Sequence, residues 1–330
     1  MALEREDTPR EWLVVVRKPG PDAPPDADFT VLNVRRLSRA ETAASADAIR
    51  FVHGLTVGGA LQELRGASDR FFGEVERLES RPYSQNAHPG AALALEASFK
   101  SWLSSFASYA DRTKAWISRE IGKDTEEFRA FGRWLSQEFD SNFSYRLCCS
   151  LRNASEHAGR VINALSFSSH ESEPGGPVEE NVTIRLDCPA LAERFPKMPA
   201  KTRVEMLSVT HQLELEWIVG AAIQSCQWVN ARLFVALGDR LRSASDVIER
   251  FDAEVGGQSS FETTGYFDFG DAPSGRTKWH LRVNRGDLAA VARQGLLDSE
   301  RMLATRLDAP ALVWQDFVDR EAAESSEAVS

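Results

Sequence analysis

The stretch Asn142-Phe-Ser-Tyr-Arg-Leu-Cys-Cys-Ser-Leu-Arg-Asn-Ala-Ser-Glu-His-Ala-Gly159 decides how the rest of the chain is read. At about 100° per residue, Phe143, Leu147, Leu151 and Ala154 fall on one face, the pattern of a helix packed into a bundle. Arg146, Ser150, Asn153 and His157 form a second stripe beside it, at roughly a right angle. Asp140 or Ser141 suits the N-cap, and Gly159 fits the stop. The spacing therefore predicts a helix with Arg152, Asn153 and His157 near its C-terminal end.

The segments before this helix read the same way. From about Arg39, Ile49, Val52, Leu61, Leu64, Phe71, Val75 and Leu78 recur at three- and four-residue steps, with Gly58-Gly59 as an interruption. Arg81 to Pro89 is a polar loop. Leu95, Phe99, Trp102, Leu103, Phe106, Tyr109, Trp116, Ile117 and Ile121 then give a helix with a broad apolar face, stopped at Gly122. Asp124 with Glu127 is a capping-box-like start for the next helix, which carries Phe128, Phe131, Trp134, Leu135 and Phe139. After the motif helix, Val161–Ser168 and Asn181–Asp187 read as a long-looped hairpin within 161–188, and Pro189–Pro199 as irregular chain or a short helix. Lys201–Val255 is helical almost throughout, dividing or bending near Gly220 or Gly238.

Both ends are richer in strand signals. Residues 11–17 and Phe29–Val34 read as strands around a proline-rich loop, and Ser260–Phe269 and Thr277–Asn284 as another pair. Asp287–Gly295 and Ser299–Leu307 read as short helices. The expected organisation is an N-terminal β extension (1–38), a helical bundle (39–255), a small β/α extension (256–318) and an acidic, disordered tail (319–330). The fold class is mainly α: an up-and-down helical bundle with accessory strands near the termini and after the motif helix, the terminal strands pairing as one small sheet.

Composition sets limits on function. The 330 residues carry 42% apolar and 27% charged side chains, ordinary for a soluble globular protein able to bury a substantial core. A formal net charge of −10 gives no general attraction to nucleic acid or anionic membranes, so any RNA contact is local. No basic region followed by an apolar run opens the chain, and Ile218–Leu237 is too polar to span a bilayer. Cys148, Cys149, Cys188 and Cys226 lack metal-ligand spacing and read as reduced thiols in a cytoplasm.

Competing sites fail on context. Gly270-Asp-Ala-Pro-Ser-Gly-Arg-Thr277 imitates a phosphate-binding loop, but strands flank it on both sides and Pro273 removes a donor, so it reads as a hairpin turn. His53, His170, His211 and His280 are isolated, without a second ligand at metal spacing. His211 is placed in a long helix, one turn before Leu215. There is no nucleophile elbow. No cofactor is implied.

Arg152, Asn153 and His157 do carry coherent chemistry. Cleavage of RNA by its own 2′-OH needs a base, an acid and positive charge at the phosphate. Histidine supplies either proton-transfer role near neutrality, and the planar arginine fork binds phosphate oxygens. Helical arithmetic turns Arg152 about 140° away from His157, so a shared cleft calls for a pair of these helices in a dimer.

The run Arg152-Asn153-Ala154-Ser155-Glu156-His157 resembles the Arg-polar-x-x-x-His signature of HEPN domains. A looser Arg-to-His spacing also matches Arg81–His88, in a loop; requiring a polar residue after the arginine and a helix end leaves only this run. The resemblance covers the motif and, loosely, the helices from 39 to 255. It implies a helical-bundle homodimer that cleaves RNA without metal, of the kind found as toxins and phage-defence effectors. Arg152 and His157 would be catalytic, with Asn153 as polar neighbour. Arg146, next on the His157 stripe, is a candidate for a further phosphate contact, and an antitoxin or regulatory partner is implied. The alternative is a non-catalytic interaction or regulatory protein built on a degenerate scaffold of the same kind.

Overall fold

The computed structural model of the chain describes residues 11–17, 30–80, 89–158, 160–171, 178–210, 212–254, 262–268, 281–284 and 286–308. The chain is mainly α, with two small antiparallel sheets. The loops read at 18–28 and 81–88, the Gly159 stop, the 270–277 turn, His211 and the acidic tail lie outside the described residues. Among the described residues no helix is long and apolar enough to cross a membrane. The chain divides into two compact units, residues 1–58 with 234–300 and residues 59–233 with 301–330. Two of the three divisions fall inside the 39–255 stretch, and the third follows Glu300.

In the first unit, β1 (Glu11–Arg17), β2 (Thr30–Leu37), β6 (Glu262–Asp268) and β7 (Leu281–Asn284) form one sheet in the order β2-β1-β6-β7. Strands from the two ends of the sequence thus pair side by side, Val14 standing opposite Gly265 on one side and Asn33 on the other. Helix α1 (Arg39–Leu55) starts at a full capping box: the Glu41 N–H donates to Ser38 Oγ and the Ser38 N–H donates to the Glu41 carboxylate. Arg35 donates to that carboxylate at 2.8 Å and to Glu254 at 2.7 Å, joining the end of β2, the start of α1 and the end of α9 (Gly238–Glu254). Leu37 and Phe251 are buried together beside Ile49 and Val247.

Residues 286–308 form a single helix, α10 (Gly286–Asp308), where two short ones were expected. Gly295, where the first of those helices was expected to end, lies inside α10 with Phe234 packed over it. A Cβ at Gly295 would come within 2.9 Å of Phe234 Cε1. On another side of α10, Arg293 donates to Asp246 and Glu249 of α9, at 2.6 and 2.7 Å.

The second unit is built on α2 (Ala60–Glu79) and α3 (Pro89–Glu120). Rings of Phe71, Phe99, Trp102, Phe106 and Tyr145 follow one another at centroid distances of 5.1–5.9 Å. The Trp102 indole N–H is satisfied by Ser68 Oγ at 3.1 Å. Gly122 ends α3 at φ +116°, a left-handed value that favours glycine, and its N–H donates to the Ile117 carbonyl. Helix α4 (Glu126–Ser141) is capped by Thr125, one residue beyond the expected Asp124: the Phe128 N–H donates to Thr125 Oγ1.

Helix α5 (Phe143–Ala158) carries the motif and is followed by the expected hairpin, β3 (Ala164–Glu171) with β4 (Val178–Leu186). Cys188–Arg194 is a short helix, α6, and Ala200–Ser208 is α7. The helical run expected from 201 to 255 is interrupted at 209–214. There Leu213–Glu214 (β5) pairs with β4 as the third strand of the sheet, a gain in backbone pairing that local helix propensity does not register. Helix α8 (Leu215–Ala236) passes through Gly220 unbroken, and the second break comes at Leu237, just before α9.

Candidate functional site

Asn142 sets α5 in place. Its own N–H closes α4 on the Glu138 carbonyl. Its Oδ1 accepts from the Tyr145 N–H at 3.1 Å, and its Nδ2 donates to Ser225 Oγ of α8 at 2.8 Å. One side chain therefore caps the helix and ties it to a neighbour, the role expected of Asp140 or Ser141.

From this cap the helix runs through the interior. Phe143, Leu147, Leu151 and Ala154 are buried as the periodicity predicts, and so are Ser144, Tyr145, Cys148 and Ser150. Among the described side chains of α5, Asn153 and Glu156 are exposed and Cys149, Arg152 and Ser155 are half-buried.

Arg146 does not share that surface. Its side chain is 3% exposed; Nε and Nη2 donate to Glu205 of α7 at 3.1 and 2.5 Å, and Nη1 donates to the Phe139 carbonyl at 2.6 Å. The proposed phosphate contact is thereby corrected: the guanidinium is a buried tie between α4, α5 and α7. Its partner Glu205 is distant in sequence, and the single-helix stripe gave no sign of it.

Arg152 is 38% exposed. Its Nη1 donates to Asn153 Oδ1 at 3.1 Å and its Nη2 lies 2.9 Å from Glu156 Oε1, while Nε is buried without a hydrogen-bond partner. Arg152 and Asn153 are brought together. His157 lies in the last turn of α5, but its side chain falls outside the described residues.

Sequence reasoning missed the brace just beyond the helix. The buried Glu96 carboxylate of α3 accepts from the Val161 and Ile162 N–H groups at 2.8 and 3.0 Å, with Lys100 Nζ at 3.5 Å. Charged acceptors of backbone N–H are strong, so the exit of α5 is held firmly. Arg194 of α6 donates to the Arg160 carbonyl at 3.0 Å, bringing a second guanidinium to the same exit, where Arg160 is exposed. A glutamate in an otherwise apolar turn of α3 was the one available signal.

Thiol chemistry finds no support beneath α5. Burial pushes the Cys148 and Cys226 thiols well above their ordinary value, and Cys149 up to about 11, so no nucleophilic thiolate stands ready near neutrality. Among the described residues no group of three or more His, Cys, Asp or Glu side chains is placed to hold a metal ion. No family model matches the chain, and no curated protein or solved structure does so either.

Proposed function

We propose that the chain is a cytoplasmic, metal-independent endoribonuclease of HEPN type, acting as a homodimer and serving as a toxin or phage-defence effector with an antitoxin or regulatory partner. One observation carries the reading: a helix buried along most of its length surfaces where its Arg-Asn-x-x-x-His run begins. Arg152 binds and neutralises the scissile phosphate. His157 moves the 2′-OH or 5′-oxygen proton, and Asn153 orients the guanidinium it touches. In a two-fold dimer the paired histidines supply acid and base. Arg160 and Arg194, in place of Arg146, extend the local positive charge that RNA meets on an acidic protein.

The competing reading, a non-catalytic interaction protein, has one observation behind it: both Nη groups of Arg152 are already engaged by its own helix. Incubating single-stranded RNAs in EDTA with wild type, Arg152→Ala and His157→Ala separates the two. Cleavage by wild type that both substitutions abolish supports the ribonuclease; equal behaviour of all three supports the interaction protein.

A further inference from the structure

The surroundings of Arg152 say more than that it is exposed. With Nε buried, the end of the guanidinium that bears Nη1 and Nη2 is the edge an incoming anion can reach. Asn153 and Glu156 take those same two nitrogens at 3.1 and 2.9 Å. The Glu156 carboxylate stands in the place that a phosphodiester oxygen would take in a forked contact.

Helix stability does not account for Glu156. It sits in the last turn of α5, where the helix dipole disfavours negative charge. The i,i+4 pair runs arginine first and acid second, the less favourable order, and the glutamate side chain is 50% exposed. A pair so placed adds little to folding.

We propose that Glu156 is a built-in competitor that closes the fork of Arg152 until an RNA phosphodiester displaces it. The proposal rests on Arg152 being the phosphate-binding residue of the function above. Displacement makes each phosphate contact weaker than an open arginine would give, so a single phosphate is held poorly.

The test uses a fluorescein-labelled, single-stranded 2′-O-methyl RNA, which lacks the attacking hydroxyl, and fluorescence anisotropy at fixed salt. Wild type, Glu156→Gln, Arg152→Ala and the double variant are compared. Glu156→Gln is expected to bind about three- to five-fold more tightly, a gain of the size an exposed ion pair controls. The gain disappears on the Arg152→Ala background, and the melting temperature of Glu156→Gln equals or exceeds that of wild type. With cleavable RNA the same substitution lowers KM. An equal gain with and without Arg152, no gain, or no binding by any variant overturns the proposal. If the Arg152-dependent gain appears and wild type cuts no RNA, the ribonuclease reading fails and the competitor stands. If wild type cuts RNA and the gain is absent, the competitor alone fails.

Discussion

Arg146 and Arg152 belong to one helix and have opposite fates. Arg146 is enclosed by Glu205 and the Phe139 carbonyl, while Arg152 is held loosely at the surface. The first pair has a clear energetic consequence. Removing one partner of a buried ion pair leaves the other charge uncompensated, so Glu205→Ala is expected to destabilise the protein by about 3–5 kcal/mol in urea unfolding. A change below about 1 kcal/mol would show the pair to be far better solvated than its burial indicates. At Glu41, the Arg35 hydrogen bond, followed by those from Ser38, lowers the carboxyl from 4.5 to about 2. Because the folded value lies below the ordinary one, the stabilisation is complete above about pH 4.5 and is lost as the pH falls towards 2. Thermal melts of wild type and Glu41→Gln should therefore differ at pH 7, with the variant the less stable, and converge by pH 2. A constant difference across that range would remove the charge from the explanation.

Among the elements, α10 gives the sharpest case of packing overriding a local signal. Gly295→Ala adds helix propensity but forces a Cβ against the Phe234 ring, so the packing cost should win. The expected result is a net loss of about 1 kcal/mol in urea unfolding, which disappears when Gly295→Ala is made on a Phe234→Leu background. Stabilisation by Gly295→Ala alone would mean that the ring yields freely. The same contrast explains what the sequence made legible. The apolar face of α3 and the core face of α5 were readable because Leu95, Phe99 and Trp102, or Phe143, Leu147 and Leu151, repeat at helical spacing and need no distant partner. The pairing of Leu213–Glu214 with β4 and the burial of Arg146 were not readable, since each depends on a residue remote in sequence. At the candidate site, the Arg152–Asn153 pair and the i,i+4 spacing of Arg152 and Glu156 belong to one helix and are legible in it, whereas the Glu96 brace joins residues 65 and 66 positions apart.

For the whole molecule, the terminal strands join in one sheet within a unit that the chain leaves at residue 58 and re-enters at 234. The other unit holds α5 with Arg152 and Asn153. With a net charge of −10, nonspecific adhesion to RNA is not expected, so on the proposed reading cleavage depends on the few cations at the end of α5 and should fall as salt rises, with the shallow slope of few phosphate contacts. The proposed ribonuclease calls for a dimer, because helical arithmetic sets Arg152 and His157 about 140° apart on one helix; on that reading light scattering of the purified protein should report twice the 36.6 kDa chain mass. The central claim is tested most directly by RNA cleavage in EDTA by wild type, Arg152→Ala and His157→Ala, each first shown to be folded by thermal melting. The account expects cleavage by wild type, leaving 2′,3′-cyclic phosphate ends, and at least about a hundred-fold loss in each variant, the scale of a lost proton-transfer or charge-stabilising group. Cleavage that survives either substitution, or its absence in wild type across the RNA panel, would contradict it.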